Sequence, residues 1–170
     1  AEEEAARNFL CFGHPDAVAV VCDASVLERN LNLVLQITEL TGKVAVCVNL
    51  MDEAEKKGIR VDLQKLSAEL GVPVTGASAR SGKGLSRLTQ ALEGLLKDRE
   101  AAAPRPIRYL PAIEEALGLL EPALERALAG QLPPRWTALR LLDNDPGLMA
   151  AMADFLGFPL GEDPAVKRAL

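Results

Sequence analysis

Lys43-Val44-Ala45-Val46-Cys47-Val48-Asn49-Leu50-Met51-Asp52 is the stretch on which the reading of this chain turns. Its unbroken apolar run is short, rich in valine and without helical period, so it reads as a buried strand. The run stops at Asn49, and Asp52 follows three residues later. Working outward, two further valine-rich runs flank it, Ala17–Cys22 before and Val72–Thr75 after. Helical patterns fill the intervals. Ser25 and Glu28 form a capping-box signature for a helix reaching about Leu40, with Leu27, Leu31 and Val34 and again Leu33, Ile37 and Leu40 suited to burial around most of its girth. Asp62 reads as the N-cap of a helix that Gly71 terminates. After Ser81-Gly82-Lys83-Gly84, a helix carries Leu85, Leu88, Leu92 and Leu95 in its apolar stripe. Strands alternating with helices define an α/β unit with a parallel sheet.

Past Lys97 the composition turns to charge, alanine and proline, and residues 98–106 read as a linker. Beyond it no β-rich run occurs. Ile113, Leu117, Leu120, Leu124 and Leu128 keep helical spacing, with Pro122 expected to kink that helix or split it. Gly130 and Pro133-Pro134 end the element, and a following helix carries Trp136, Leu139 and Leu142. Asp145-Pro146 and Asp163-Pro164 each place a capping acid before a proline at the first helical position, so two more helices start there. Leu148, Met152, Phe155 and Leu156 give the first of these its apolar face. The expected division is an α/β part over 1–97 and a small all-α part over 107–170.

With 49% hydrophobic and 25% charged residues, the 170-residue chain has the balance of a globular protein. A net charge of -5 argues against a nucleic-acid partner, since neutralising phosphates requires clustered Lys and Arg. Cys11, Cys22 and Cys47 are scattered and odd in number, which fits a reducing compartment, and they lack the paired spacing of a metal site. No apolar run approaches the ~20 residues a membrane span needs. The start, Ala1-Glu2-Glu3-Glu4, is acidic, unlike a signal peptide.

Ligands of open parallel sheets sit beyond the carboxyl ends of the strands. Asp23, Asn49 to Asp52 and Thr75 to Ala79 all fall there. A carboxylate at Asp52 can accept hydrogen bonds from the ring and exocyclic nitrogens of guanine, a donor pair that adenine lacks, and charge-assisted bonds contribute about 1.5–3 kcal/mol each. Asp52 with Glu55 also satisfies a capping box, and Asn49 also suits a strand end that ties its side chain to nearby backbone. Their joint placement with Ser78-Ala79 at the end of the next strand favours base recognition, with the Ala79 N–H available to a guanine carbonyl oxygen. Ser81-Gly82-Lys83-Gly84 fails as a phosphate loop, because Ala77 stands five before Gly82 and Gly84 follows the lysine. The sole histidine, His14, lies beside Pro15 with no nucleophile placed near it. No catalytic residue and no metal ligand is expected.

Gly76-Ala77-Ser78-Ala79-Arg80 resembles the second base-contacting segment of small GTPases. A narrower resemblance spans nearly the whole chain. Val20-Val21-Cys22-Asp23-Ala24-Ser25-Val26-Leu27-Glu28-Arg29-Asn30-Leu31 resembles the VVDATNLERNL stretch of bacterial ferrous iron transport protein B, and Asn49 to Gly58 resembles that family's NMMDEAEKKG. Pro134 to Leu142 is similar to its RWLAIKLLE signature in a following helical domain. The resemblance implies part of a P-loop GTPase-like sheet followed by a helical domain likened to a GDP-dissociation inhibitor, at the cytoplasmic face of the bacterial plasma membrane. It implies GTP or GDP as ligand, with Asn49, Leu50, Asp52, Ser78 and Ala79 at the guanine base. Leu50 stands where lysine is usual in GTPases and would pack its aliphatic body on the base plane. The implied partners are an iron-permeating transmembrane domain and, as an option, a second copy of the chain. The phosphate loop, first switch and Asp-x-Pro-Gly turn of the family would precede Ala1, as would the residues that bind Mg²⁺. Weak nucleotide binding and no hydrolysis are therefore expected of residues 1–170 alone. The alternative reading is an interaction or oligomerisation module that binds no nucleotide.

Overall fold

The computed structural model describes residues 2–97 and 104–170. It forms two compact units, Pro15–Ile107 and, separately, Ala1–His14 with Arg108–Leu170. Helix α1 (Glu2–Phe12) opens the chain and belongs to the second unit. That grouping differs from the expected division at residue 97. Its physical cause is aromatic: Phe12 stacks on Phe155 with ring centroids 5.0 Å apart, and His14 tilts against the same ring. Arg7 adds a long ion pair of 4.0 Å to Asp145. Of the expected linker, residues 98–103 lie outside the described residues. Pro104 to Ile107 belong with the α/β unit, where the Arg105 N–H donates to the Leu70 carbonyl at 3.0 Å.

The α/β unit holds three parallel strands in the order β1 (Val18–Asp23), β2 (Val44–Asn49), β3 (Val74–Gly76). Val20, Val46 and Val74 lie in register across the sheet, as do Val21, Cys47 and Thr75. Strand β2 is buried from Val44 through Val48, and each fully buried valine contributes about 1.5–3 kcal/mol. Strand β1 behaves differently: Val18, Val20 and Cys22 are buried, whereas Ala19 and Val21 are exposed, Val21 by 61%. The central strand thus has the two-sided cover expected of a parallel sheet, and the edge strand β1 has it on one side.

Helix α2 (Leu27–Leu40) packs on β1 and β2 but buries only Val34 and Ile37, with Leu33 exposed, so its burial is narrower than its apolar girth suggests. The capping box expected at Ser25 and Glu28 is not how it starts. Asp23 caps a 3₁₀ turn, Ala24–Val26, by accepting the Ser25 N–H at 2.7 Å and its hydroxyl at 2.6 Å. The Asp23 carboxyl is held below its ordinary range chiefly by that hydroxyl. Helix α3 (Met51–Lys56) follows β2 directly. Helix α4 (Leu63–Leu70) starts with Asp62 accepting the Lys65 N–H at 2.9 Å and ends at Gly71 with φ +71°, as its sequence signals indicate. Helix α5 (Leu85–Lys97) packs on β2 and buries Leu95, while Leu85 is exposed.

In the helical unit, α6 (Pro111–Leu128) runs through Pro122 as one helix, so of the kink or split expected there the split does not occur. The lost backbone hydrogen bond and ring clash cost about 3 kcal/mol, and complete or near-complete burial of Leu117, Leu120, Leu124 and Leu128 offsets it. Helix α7 (Pro134–Asp143) buries Trp136, Leu139 and Leu141, whereas Leu142, expected inside, is exposed. Helices α8 (Pro146–Leu156) and α9 (Pro164–Ala169) start as read: Asp145 accepts the Leu148 N–H at 2.7 Å and Asp163 accepts that of Ala165 at 2.8 Å. Arg135 on α7 bridges two α6 carboxylates, Glu114 at 2.7 Å and Glu121 at 3.2 Å.

Candidate functional site

Two loops leave the carboxyl edge of the sheet, one from β2 and one from β3, and hydrogen bonds join them. Ala77 extends the ladder by donating its N–H to the Val48 carbonyl at 2.8 Å, and its own carbonyl accepts the Met51 N–H at 3.2 Å. The Asn49 side-chain oxygen accepts the Ala79 N–H at 3.0 Å. The Asp52 N–H donates to the Ser78 hydroxyl oxygen at 3.3 Å. All five residues singled out from the sequence, Asn49, Leu50, Asp52, Ser78 and Ala79, therefore lie in one cluster.

Leu50 makes the first loop possible. It adopts φ +60°, ψ 31°, the left-handed region, and forms the N-cap position of α3 without any side-chain cap. A non-glycine residue there costs about 1–2 kcal/mol. Such strain is tolerated where surrounding bonds over-determine the backbone, and here the Leu50 carbonyl accepts the N–H groups of Glu53 and Ala54 at 3.1 and 3.0 Å. Asp52 therefore lies inside the first turn of α3 rather than at its N-cap, and the capping alternative for it does not hold. Its acidic charge in that turn is favourably placed against the helix dipole.

Exposure separates the roles. Asp52 and Ala79 are exposed, Asn49 and Leu50 half-buried, and Ser78 buried at 3% exposure. The Ser78 hydroxyl, by hydrogen bonding, is the main cause holding the Asp52 carboxyl below the ordinary carboxylate range. An ionised, exposed acceptor thus stands on the first loop, and the peptide N–H of exposed Ala79 on the second. The Ala79 N–H is already engaged by Asn49, whose carbonyl oxygen stands where an external acceptor such as a base carbonyl would bind. That bond is of the kind the alternative reading of Asn49 expects, a strand-end side chain tied to backbone; its partner on the second loop was not specified by the sequence.

Three contributors were missed. Met51 ties the loops through its backbone N–H, Lys83 accepts the Ser78 N–H on its carbonyl at 2.9 Å, and Gly84 lies against the backbone of Gly76 and Ala77. Only the Gly-x-Gly spacing at 82–84 signalled a tight return; backbone bonding leaves no mark in residue types. Among the described residues no group of three His, Cys, Asp or Glu side chains could hold a metal ion. Cys11, Cys22 and Cys47 are free and buried, and burial pushes each thiol above its ordinary range.

A parallel α/β sheet with paired Asn–Asp and Ser–Ala loops on its carboxyl edge, followed in the chain by a helical unit, has the fold of a cytosolic GTPase-type domain with an appended helical domain. The family model for ferrous iron transport protein B matches residues 1–92, and that for the FeoB cytosolic helical domain matches residues 109–168. The chain belongs to the ferrous iron transport protein B (FeoB) family. It is 39% identical over 135 residues to an Fe(2+) transport protein A/Fe(2+) transporter FeoB fusion protein of Porphyromonas gingivalis, covering 77% of this chain and 16% of that one. To the Fe(2+) transporter FeoB of Escherichia coli K12 it is 32% identical over 148 residues, covering 85% and 18%. The cytosolic domain of the T. maritima FeoB iron transporter in a GDP form superposes with a TM-score of 0.77 at 27% identity, covering 99% of this chain and 65% of that one. That of L. pneumophila FeoB gives 0.75 at 30% identity, covering 91% and 64%. The chain thus spans less than a fifth of the length of these curated relatives. No helix among the described residues is long and apolar enough to cross a membrane.

Proposed function

We propose that residues 49–52 and 78–79 recognise the guanine base of GTP or GDP, and that the chain is the nucleotide-sensing region of a ferrous iron transporter at the cytoplasmic membrane face. The observation that carries this reading is the Asn49–Ala79 bond, together with Asp52–Ser78, which draws both loops around one position. Asp52, ionised, accepts from the two guanine donors. Leu50 offers its aliphatic body to the ring. Ser78, being buried, acts through Asp52 rather than at the base. Ala79 donates to the guanine carbonyl oxygen, which takes over from Asn49.

The residues fit the base, and no phosphate-gripping loop occurs in this sequence. Phosphates supply much of a nucleotide's affinity through helix-terminal and nest N–H groups. Residues 1–170 alone therefore bind GDP weakly and do not hydrolyse GTP, and Mg²⁺ enters only with phosphate-binding residues from elsewhere in the protein. The helical unit relays nucleotide state to an iron-permeating transmembrane domain.

Calorimetric titration with GDP and ADP tests the reading. Heat selective for GDP supports it, and its loss in Asp52→Ala assigns the selectivity. Equal response to both nucleotides refutes it. A second reading, an interaction or oligomerisation module without nucleotide, draws on one observation, the exposed Ala19 and Val21 on edge strand β1. It predicts silence in the titration and a concentration-dependent mass in sedimentation.

A further inference from the structure

We propose that Gly84 is a positioning residue for base recognition, fixing the loop that aims the Ala79 N–H; this rests on the guanine reading above. Gly84 has φ +86°, and a Cβ there would overlap the Gly76 carbonyl oxygen and stand 3.0 Å from Ala77 Cα. Both neighbours are backbone at the end of β3, so neither yields as the end of a flexible side chain would. Ala77 is pinned on both sides, its N–H to Val48 and its carbonyl to Met51.

Any added side chain must therefore displace residue 84 itself. That movement would draw the Lys83 carbonyl away from the Ser78 N–H, the 2.9 Å bond that closes the loop. Inside the loop the Ser78 carbonyl accepts both the N–H and the hydroxyl of Ser81 at 3.0 Å, and the Ala79 carbonyl accepts the Gly82 N–H at 3.1 Å. The peptide groups on either side of Ala79 are thus set by a closure that Gly84 permits. Asp52 sits on the other loop and meets this closure only through its N–H to the Ser78 hydroxyl at 3.3 Å.

Gly82 supplies the control. Its φ is +74°, so a side chain there meets the same left-handed strain, yet nothing lies within 4 Å of its Cβ position. Gly84→Ala adds a collision to the strain; Gly82→Ala adds strain alone. Asparagine tolerates positive φ better than alanine, so Gly84→Asn and Gly82→Asn repeat the comparison at lower strain if Gly84→Ala does not fold.

The test measures affinities for GDP, ADP and inosine diphosphate, together with backbone amide exchange, on the intact protein and these variants. Inosine keeps the carbonyl oxygen of guanine and lacks only the amino group that Asp52 reads. The GDP-over-ADP preference is expected to fall about tenfold in the Gly84 variants, the scale of one hydrogen bond, and to stay within about twofold of wild type in the Gly82 variants. The GDP-over-inosine-diphosphate ratio changes less than the GDP-over-ADP ratio in the Gly84 variants, since Asp52 meets the closure only through the Ser78 hydroxyl, and stays within about twofold of wild type in the Gly82 variants. The Ser78 amide exchanges faster in the Gly84 variants only. Equal preference and equal Ser78 exchange in Gly82 and Gly84 variants overturns the assignment. A wild-type protein that does not distinguish GDP from ADP overturns the guanine reading and the base-recognition role together, and the exchange contrast then decides separately whether Gly84 closes the loop.

Discussion

The Asn49 side-chain oxygen lies 3.0 Å from the Ala79 backbone nitrogen, a hydrogen bond spanning 30 residues of sequence that joins the ends of two neighbouring strands. Both loops of the candidate site thereby take their positions from the sheet.

Removing that acceptor should loosen the second loop before it affects the fold. Asn49→Ala is expected to cost about 0.5–1.5 kcal/mol in urea denaturation, the net worth of one partly solvated hydrogen bond. Exchange of the Ala79 amide should quicken in the same variant. Asn49→Asp keeps an acceptor, so unaltered protection at Ala79 is expected there; quickened exchange in both variants would contradict the geometry.

Acid should erase the guanine preference late. Ser78 holds the Asp52 carboxyl below its ordinary range, so the folded-state value lies under the unfolded one. Its stabilisation is then fully present above the unfolded value, about 3.9, and is lost as pH falls through the lower, folded value. The GDP-over-ADP ratio, followed downward from about pH 7, should persist into the acidic range. Ser78→Ala removes the main cause of the depression, so the ratio should begin to fall at a higher pH than in wild type; an unshifted profile would sink the role given to Ser78.

Backbone strain at Leu50 should be recoverable. Leu50→Gly relieves the left-handed cost, about 1 kcal/mol, against some loss from a more flexible unfolded chain. Leu50→Ile adds β-branching at φ +60° and should destabilise by about 1–3 kcal/mol. Chemical denaturation of the pair decides it: isoleucine tolerated as well as glycine would show that this backbone is not over-determined.

Helix α1 should report on the helical unit. Phe12→Ala removes the stack on Phe155 and is expected to destabilise that unit by about 1–3 kcal/mol, since the ring is only partly buried. Tryptophan fluorescence serves as the readout, because Trp136, the only tryptophan, is buried in α7. A Trp136 transition that Phe12→Ala leaves in place would argue against the grouping of α1 with residues 108–170.

Much of this architecture was legible where one residue type has one physical use. Asp62 and Gly71 bracket α4 because a capping carboxylate and a left-handed terminator leave plain marks, and the valine-rich run Val44–Val48 marks a buried strand. Periodicity misled where it reports apolar character without a partner. Leu33, Leu85 and Leu142 fit their helical stripes and are nonetheless exposed. Ser25 and Glu28 matched a capping pattern, but Asp23 lay closer to the orphan N–H groups and took them. The candidate residues Asn49, Asp52, Ser78 and Ala79 drew notice by type and spacing, and Leu50 by the family resemblance. Their wiring did not, because Met51, Lys83 and Gly84 act through backbone atoms and Leu50 through a dihedral angle that no side chain announces.

The capping acids of α8 and α9 have a chemical corollary. Aspartyl–prolyl bonds are the acid-labile links of a polypeptide, and they break when the aspartate carboxyl attacks its own carbonyl carbon. At Asp145 and Asp163 that carboxyl is engaged with helix N–H groups. Scission at these two bonds in dilute acid must wait for each cap to let go, so the fragments released over time form a clock for fraying at two known points of the chain.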